Sequence, residues 1–406
     1  MSFRPTAVQT AGMADEGWSN FSGRVAFTPQ RIARPKSEAE LRAGVREAAS
    51  AGRTVRVAGT GHSFTPLVQT DGLLVSLDDL QGIESVDTAK REAVVRAGTK
   101  LHALGEPLLA HGLAMQNMGD VDVQALAGAV STGTHGTGPG LANVSSQLVG
   151  ARLVLASGEA LELTADGDPD RLDAARVSLG LLGIFSTLTL RLVPAYRLHE
   201  RVWRADTEAC LAELDANIAR HRHFEFWWYP HRDFAEQKAL QPTDAEPESV
   251  AGRKGERIDW SARILPSVRE LRFNEMEYSV PAEAGPECFR AVRERMRSRW
   301  PDVVWPVEYR TLGADSAWLS TAHRRASVAI SLHQDAKLDP DAFFADCEAV
   351  FRAHEGRPHW GKLHTCTAAG LARLYPEWER FRALRSELDP AGTFANPYLR
   401  ELFGIA

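Results

Sequence analysis

Two glycine-rich stretches in the first third of the chain constrain its fold most strongly. The first, "VRVAGTGHSFTPL" (residues 55–67), ends a β-branched run with two glycines, and His62 and Ser63 follow directly. Glycines at a strand end let backbone N–H groups converge, which forms a nest for an anion. The alternative is an ordinary tight turn with a surface histidine. Because the pattern is not GxGxxG opening a helix, we expect no Rossmann-type dinucleotide fold.

The second stretch, "NMGDVDVQALAGAVSTGTHGTGPG" (residues 117–140), contains six glycines and His135. This composition disfavours a packed helix and lets the backbone approach a large ligand closely. The alternative is a structural loop under a domain interface. Two such loops, each following strand-like segments, favour an extended anionic cofactor that is held mainly by main-chain groups.

Composition narrows the class of protein. The chain has 406 residues, 44% of them hydrophobic, which is enough for two domains with sizeable cores. A net charge of −6 gives no global basic field, so we expect no nucleic-acid partner. The sequence has no apolar run of roughly 20 residues that could span a membrane and no secretory signal pattern. Four cysteines without CxxC spacing fit a reducing cytoplasm, and we expect no metal site.

The amino-acid composition of the chain changes near residue 197. Before it, the sequence predicts a helix capped by Ser37 and Glu40, a helix over residues 101–112, and several short strands, including a pair turning at Ser157-Gly158. After it, tryptophan, arginine and long amphipathic stretches dominate. We therefore predict a poorly ordered leader over residues 1–16, one domain over 17–196 and a second over 197–358, while residues 359–406 could join either.

Two short motifs in the second half offer catalytic chemistry. In "WPVEYRTL", the β-like spacing puts Glu308 and Arg310 on one face, where they could hydrogen-bond a polyol-like substrate. The alternative is a surface cross-strand ion pair. "RPHWGKLHT" contributes His359 and Lys362. A lysine in a cleft could stabilise a developing negative charge electrostatically, whereas the alternative is a solvated charge at a domain seam.

The ordered set of motifs resembles the vanillyl-alcohol-oxidase-type flavoenzymes, and within them the sugar-1,4-lactone oxidases and alditol oxidases. The resemblance extends from Trp18 to Gly404, and its landmarks are "RVAGTGHSF", "TDGLLVSL", "GLAMQNMGDVDVQALAGAVSTGTHGTG", "SLGLLGIFSTLTL", "VEYRTL" and "HWGK". It implies an α+β fold with an FAD-binding domain of two α+β subdomains of the PCMH type. It also implies a cap domain with an antiparallel sheet flanked by helices, and a C-terminal segment, 359–406, that returns to the flavin.

The resemblance implies FAD as cofactor and assigns two sets of cofactor contacts. The first loop is expected to hold the pyrophosphate through Val57, Ala58, Gly59, Thr60, Gly61, His62 and Ser63. The second region maps to Ala125, Gly128, Thr132, Gly133, Thr134 and His135, with Ile184 on the adenine side. The histidine of "GHS" is commonly joined to the flavin 8α-methyl carbon, so His62 is the expected attachment point.

The resemblance also implies substrate contacts. Glu308 and Arg310 correspond to substrate-binding residues, and His359 and Lys362 are expected beside the flavin. The remaining expected substrate contacts are Asp120, Ser331 and His333. Relative to alditol oxidases, the histidine and hydroxyl roles of Ser331 and His333 are exchanged, which leaves the general base open. Gly119 corresponds to the position facing the flavin C4a edge, where a missing side chain leaves room for dioxygen.

These implications predict a sugar-1,4-lactone oxidase of the L-gulono-, L-galactono- or D-arabinono-1,4-lactone type. Hydride would pass from the carbon bearing the C2 hydroxyl to flavin N5, and dioxygen would reoxidise the flavin to give hydrogen peroxide. The stretch "FEFWWYPHRD" resembles animal gulonolactone oxidases and favours a lactone. Two alternatives stay open: an alditol oxidase, and a dehydrogenase that passes electrons to a protein or quinone. The sequence does not specify the sugar or the oligomeric state.

Overall fold

The computed structural model describes residues 13–14, 17–267 and 271–405. Of the expected leader, only the two-residue strand Met13–Ala14 is described; it pairs with Gly17–Ser19, and the rest of residues 1–16 lies outside the described residues. The fold is α+β, as predicted. Among the described helices, none is long and apolar enough to cross a membrane.

The first subdomain of the N-terminal half contains a parallel three-stranded sheet. Its strands are, in spatial order, Arg31–Ala33, Leu73–Ser76 and Val55–Ala58. The helix Glu38–Ser50 connects the first strand to the third, and the predicted cap is confirmed because the Ser37 side chain accepts the Glu40 N–H at 3.2 Å. The helix buries the face formed by Leu41, Val45 and Ala48.

The second subdomain is built on a five-stranded antiparallel sheet. Its strands are, in spatial order, Ala160–Thr164, Leu148–Val154, Ile184–Arg191, Glu92–Arg96 and Ile83–Asp87. The predicted turn at Ser157-Gly158 is confirmed, and Gly158 adopts a φ of +79°. The single helix expected over residues 101–112 was wrong: a 3-10 turn, Leu101–Ala103, precedes an α-helix, Gly105–Ala110. The reason is Pro107, which a helix tolerates only in its first turn.

The cap is dominated by an eight-stranded sheet with antiparallel pairing throughout. Its strands are, in spatial order, Glu256–Trp260, Arg197–Asp206, Phe234–Thr243, His223–Tyr229, Val307–Leu312, Ser327–Asp335, Phe273–Pro281 and Arg357–Pro358. The described helices of this half include Thr207–Ala212, Leu214–Arg220, Gly285–Arg299 and Asp341–Ala353. The proposed boundaries at 196/197 and 358/359 fall beside the strands Arg197–Asp206 and Arg357–Pro358.

Apolar and polar side chains alternate along the central strands of the cap sheet, so they lie on opposite faces of the sheet. One set of strand side chains, which includes Phe226, Tyr309, Ile330 and Met276, packs in an apolar core with helix residues such as Phe289. The residues between them in the strands are polar, and they include Glu225, Arg310, Ser331 and Glu277. Because successive strand residues point to opposite faces, the polar set lies together on the face away from these helices. That face is buried as well, against the N-terminal half.

The remaining described elements are mostly short. The other α-helices are Leu126–Thr132, Pro169–Arg176, Ser261–Ile264, Ala368–Leu374, Trp378–Leu388 and Pro397–Phe403. The other 3-10 turns are Val144–Gln147, Pro247–Val250 and Ala282–Ala284. The remaining strands are Ala26–Phe27, Leu113–Ala114 and Val193–Pro194.

The C-terminal segment packs on the first subdomain. The Val55 N–H donates to Thr393 O at 2.8 Å, and the Asn396 side chain donates to Pro66 O at 2.8 Å. Arg56, which is 3% exposed, donates to the carbonyls of Leu67, Leu179 and Phe394. Its guanidinium thus joins three segments that are distant in sequence.

We expect Arg56→Met to lower the free energy of unfolding by about 3 kcal/mol or more, because three buried carbonyls lose a charged donor. The measurement is the thermal unfolding midpoint, followed by circular dichroism. Arg46→Met, on the exposed face of the helix Glu38–Ser50, is the matched control and should change stability by less than about 0.5 kcal/mol. Equal midpoints for the two variants would contradict this role for Arg56.

Candidate active site

Two adjoining cavities form the candidate site: the first lies within the N-terminal half, between its two subdomains, and the second lies between that half and the cap. The first has a volume of about 980 Å³ and is lined by the whole first glycine loop, residues 57–63. Ala125, Gly128, Thr132 and Ile184 also line it, as expected for cofactor contacts. Gly133 is placed differently, because it ends the helix Leu126–Thr132 with a φ of +74°.

The wall of the first cavity suits FAD. Gly61 has a φ of +71°, which the turn requires and a side chain would disfavour. A Cβ at Gly59 would lie 3.1 Å from the Ala125 Cβ, and a Cβ at Gly128 would meet no atom within 4 Å. The two loops therefore approach each other closely and leave main-chain surface open toward the cavity. Such a cradle fits an extended ligand with a pyrophosphate.

The second glycine stretch forms part of the cavity wall and also a loop at the interface with the cap, which are the two interpretations that its sequence allowed. Its first part lines the cavity, whereas its end joins the cap: the Gly138 N–H donates to Thr311 O at 2.8 Å. A Cβ at Gly136 would lie 2.4 Å from Met118 O, so close backbone packing requires glycine there. The stretch is thus a cavity wall followed by an interface loop.

The second cavity, of about 1010 Å³, lies between this loop and the polar face of the cap sheet. It shares four lining residues with the first cavity, His62 and Ser63 among them. Most of the expected site residues line it: Gly119, Asp120, Thr134, His135, Glu308, Arg310, His333, His359 and Lys362. Ser331 is fully buried beside them and donates to Glu277.

Glu277 is the centre of the site. Its Oε1 lies 2.7 Å from His135 Nε2, and its Oε2 accepts from Arg310 Nη2 at 2.8 Å and from Ser331 Oγ at 2.7 Å. Burial alone would raise the pKa of Glu277, but the electrostatic interactions with His135 and Arg310 outweigh it and hold the pKa well below its usual range. His135 Nδ1 faces Gly136 O at 2.8 Å, so both ring nitrogens face acceptors.

Glu308 and Arg310 lie on the same face of their strand, as predicted. Arg310 Nη2 is 3.3 Å from Glu308 Oε2, and the residues are 3% and 7% exposed, so the surface ion pair considered above is wrong. Burial lowers the pKa of Arg310, but Glu308 and Glu277 raise it further, above its ordinary value. The guanidinium is therefore a permanent cation at the cavity wall.

Lys362 pairs with Glu275, which the strand Phe273–Pro281 places two residues from Glu277. His333 Nε2 lies 3.7 Å from Glu275 Oε1. Burial raises the pKa of Glu275, while Lys362 and His333 lower it, and the net pKa is below its ordinary value. The Lys362 side chain is 19% exposed, so it is a paired cation of the cavity rather than a solvated charge.

Burial keeps the imidazoles of His62 and His359 neutral in this environment. Burial, followed by the charge of Lys362, lowers the pKa of His62 to about 4. Its ring stacks on Phe21 with centroids 5.1 Å apart, and Nδ1 lies 3.2 Å from Thr60 Oγ1. Burial lowers the pKa of His359 to about 3, and its Nδ1 accepts the Gly361 N–H at 3.1 Å.

Gly119 is not a left-handed glycine, since its φ lies outside the positive range. A left-handed backbone is therefore not the reason for a glycine at this position. A Cβ there would lie 3.1 Å from Thr134 Cγ2 and 3.3 Å from His135 O. Asp120, next in the chain, lines the cavity and accepts from Ser267 Oγ at 3.2 Å.

Sequence reasoning missed Glu275 and Glu277. The available signal was the E-x-E spacing in "FNEMEYSV", which puts two carboxylates on one face of a strand-like run. The backbone then brings the "HWGK" motif to them: the His359 N–H donates to Glu277 O at 3.0 Å, and the Leu363 N–H donates to Glu275 O at 2.9 Å.

Comparisons with known proteins agree with this architecture. Residues 188–256 and 248–402 match the family D-arabinono-1,4-lactone oxidase, and residues 29–164 match an FAD binding domain. The chain is 38% identical to L-gulono-1,4-lactone dehydrogenase of Mycobacterium tuberculosis, over 95% of this chain and 99% of that protein. It is 32% identical to the alditol oxidase of a Streptomyces species, over 95% of this chain and 98% of that protein.

Among solved structures, cholesterol oxidase from B. sterolicum superposes with a TM-score of 0.83 at 17% identity, covering 96% of each chain. At that identity the similarity concerns the fold alone. The two sequence matches together span both halves of the chain and meet at the cavities described above. The chain belongs to the D-arabinono-1,4-lactone oxidase family, and its N-terminal half contains the FAD binding domain matched over residues 29–164.

Proposed function

We propose that the chain oxidises a sugar-1,4-lactone of the L-gulono-, L-galactono- or D-arabinono-1,4-lactone type at the carbon bearing the C2 hydroxyl, with dioxygen as acceptor and hydrogen peroxide as product. The observation that carries the proposal is the buried Glu308–Arg310–Glu277 cluster at the wall of a cavity that adjoins the FAD cradle. The family match and the lactone named for the mycobacterial relative support a lactone substrate.

The cofactor would be held by the first glycine loop and by the first part of the second stretch. FAD, when bound, takes a hydride from an alcohol carbon and passes the electrons to an acceptor. His62 supports covalent attachment, because a lowered pKa keeps the imidazole neutral and hence nucleophilic at neutral pH. The chain's other task is to bind the alcohol and to stabilise the charge that develops as its proton leaves.

Arg310 and Glu308 are the proposed substrate contacts. A guanidinium already fixed by Glu277 and Glu308 can donate to the reacting oxygen without reorganising, which favours the charge that develops there. Glu308 can accept from a neighbouring hydroxyl. His359 is a poor general base, since a neutral ring whose Nδ1 accepts from Gly361 carries its hydrogen on Nε2. We therefore leave the base unassigned and give His359 a donor's role.

Lys362 is the proposed electrostatic partner of the reduced cofactor. Glu275 fixes its ammonium at the cavity, and the ring of Phe64 lies 5.1 Å from Nζ. A cation held in a partly desolvated wall stabilises nearby negative charge more than it would in water. Asp120 and His333 are the proposed further contacts of the sugar hydroxyls, and Ser331 acts through Glu277.

The first test asks whether the substrate is a lactone or an alditol, and whether the electron acceptor is oxygen or another compound. Under anaerobic conditions, L-gulono-, L-galactono- and D-arabinono-1,4-lactone should bleach the flavin absorbance faster than xylitol or sorbitol. Admitting oxygen should then restore the absorbance with release of hydrogen peroxide. Bleaching by the alditols alone would favour an alditol oxidase, and restoration only by an artificial acceptor would favour a dehydrogenase.

In the same assay, Arg310→Ala should slow anaerobic flavin reduction by about 10²-fold or more, the usual cost of losing one preorganised donor. The flavin spectrum should stay nearly unchanged, because Arg310 is proposed to contact substrate rather than cofactor. Arg257→Ala is the control: it removes a cap-sheet arginine that pairs with Glu200 and is 48% exposed. Reduction of Arg310→Ala at the wild-type rate would remove Arg310 from the proposed chemistry.

The second test concerns covalent FAD. Acid precipitation of the wild type should leave yellow flavin in the pellet, whereas His62→Ala should release it to the supernatant, because no nucleophile stays at that position. His111→Gln, an exposed histidine after the helix Gly105–Ala110, should behave as the wild type. Complete release from the wild type would refute covalency while leaving flavin binding intact.

The third test concerns Gly119. The added methyl of Gly119→Ala would enter the cavity wall against Thr134 and His135, where interiors have no spare room. We expect reoxidation by oxygen to slow about tenfold, which corresponds to about 1.4 kcal/mol, while anaerobic reduction changes little. Gly44→Ala, in open space on the helix Glu38–Ser50, is the control. If Gly119→Ala is reoxidised by oxygen at the wild-type rate, Gly119 does not control the access of oxygen to the flavin.

A further inference from the structure

The second cavity has an aromatic end in addition to its charged wall. Phe21, Phe64 and Phe273 line it, each from a different part of the chain. The ring centroid of Phe273 lies 5.6 Å from that of Phe21 and 5.8 Å from that of Phe64. Phe21 and Phe64 are 7% and 3% exposed, whereas Phe273 is only partly buried. Phe273 therefore has the most open ring of the three.

The ring of Phe273 is also supported from the cap. Its centroid lies 5.8 Å from that of Trp305 and 5.2 Å from that of His333, whose ring meets it edge to face. Together with Phe21 and Phe64, four neighbouring rings contact Phe273. Such contacts restrict the rotamers of an aromatic side chain, so Phe273 offers the cavity a rigid apolar surface.

The strand Phe273–Pro281 places this ring beside the charges of the site. Because successive strand residues alternate between faces, Phe273, Glu275 and Glu277 all lie on the face toward the cavity. Residues two apart on a strand are separated by about 7 Å. An apolar ring surface and fixed hydrogen-bonding groups are therefore within reach of one small ligand.

These two surfaces match a cyclic sugar derivative better than an open chain. A 1,4-lactone holds its carbons in a five-membered ring, which has a face of C–H groups and an edge of hydroxyl and carbonyl oxygens. An alditol carries hydroxyls along a flexible chain and has no fixed apolar face. Against a phenyl ring, the alditol would lose water from hydroxyls without gaining hydrogen bonds, and it would also lose more conformational freedom than the lactone.

We propose that Phe273 is a specificity-determining residue, which favours a cyclic lactone over an open-chain alditol by packing its ring against the C–H face of the lactone. This inference rests on the proposed function and adds the residue that separates its two substrate classes. Arg310 and Glu308 bind oxygens that both classes carry, so they do not distinguish a ring from a chain. One apolar contact typically discriminates between substrates by roughly 10- to 200-fold.

The test compares ligand binding in variants of the holoprotein by anaerobic flavin reduction. Phe273→Leu should raise the dissociation constant of L-gulono-1,4-lactone by about tenfold or more, because leucine has no flat ring, while that of sorbitol changes by less than about threefold. Phe273→Tyr keeps the ring and should bind the lactone nearly as the wild type does. Phe234→Leu is the matched control, since it removes a partly buried ring that stacks on Tyr229 at 4.8 Å elsewhere in the cap.

One comparison in the wild type keeps the inference testable if a variant does not fold. 1,4-Anhydro-L-gulitol is the L-gulono-1,4-lactone ring with a methylene group in place of the carbonyl. Sorbitol, which is identical with L-gulitol, is the same carbon chain in open form. We expect the anhydro ring to shift the flavin absorbance spectrum with a dissociation constant about tenfold or more below that of sorbitol.

Three results would overturn the role of Phe273. They are equal affinity of the wild type for the anhydro ring and sorbitol, wild-type lactone binding by Phe273→Leu, and the same loss of lactone binding in Phe234→Leu. An equal loss of lactone and sorbitol binding in Phe273→Leu would also contradict it, because the residue would then not discriminate. A protein that binds the anhydro ring tightly through Phe273 but oxidises no lactone would refute only the proposed function.

Discussion

The buried carboxylate of Glu277 is the constraint on which the site depends. An ionised group without water must be paired, and breaking such a pair typically costs about 3–5 kcal/mol. Its partners come from the second glycine stretch through His135 and from two neighbouring cap strands through Arg310 and Ser331. Arg310 and Ser331 satisfy Oε2 within the cap, whereas Oε1 gains its partner only when the N-terminal half brings His135 to it. The contact with His135 therefore joins the two halves of the chain at the wall of the second cavity.

The cap sheet explains how so much charge can lie inside the protein. Its central strands are buried on both faces, yet only one face is apolar, where Phe226, Tyr309 and Ile330 pack with the cap helices. The opposite face carries paired charges that continue across the sheet: Lys238 lies 2.9 Å from Glu225 and 4.0 Å from Glu200. Pairing across strands makes this face compatible with burial, and it leaves rigid polar groups at the cavity instead of mobile surface side chains.

The C-terminal segment completes the enclosure between the halves. The Phe64 N–H donates to Gly361 O at 2.7 Å, and Thr65 Oγ1 donates to Trp360 O at 3.0 Å. The "HWGK" motif is thereby held on one side by the first glycine loop and on the other by the strand of Glu275 and Glu277. One short motif thus contacts both the cofactor loop and the substrate wall, which explains why His62 and Lys362 influence each other electrostatically.

The sequence alone determined the features that depend on local chemistry. The Ser37 cap, the strands before the first loop, the turn at Gly158 and the shared face of Glu308 and Arg310 follow from neighbouring residues and a period of two or 3.6. Only the tertiary structure decided which charges meet. Glu277 and His135 are separated by 142 residues, and Glu275 and Lys362 by 87. No local pattern records such pairings, because the free energy that selects them arises only when both partners lose water together.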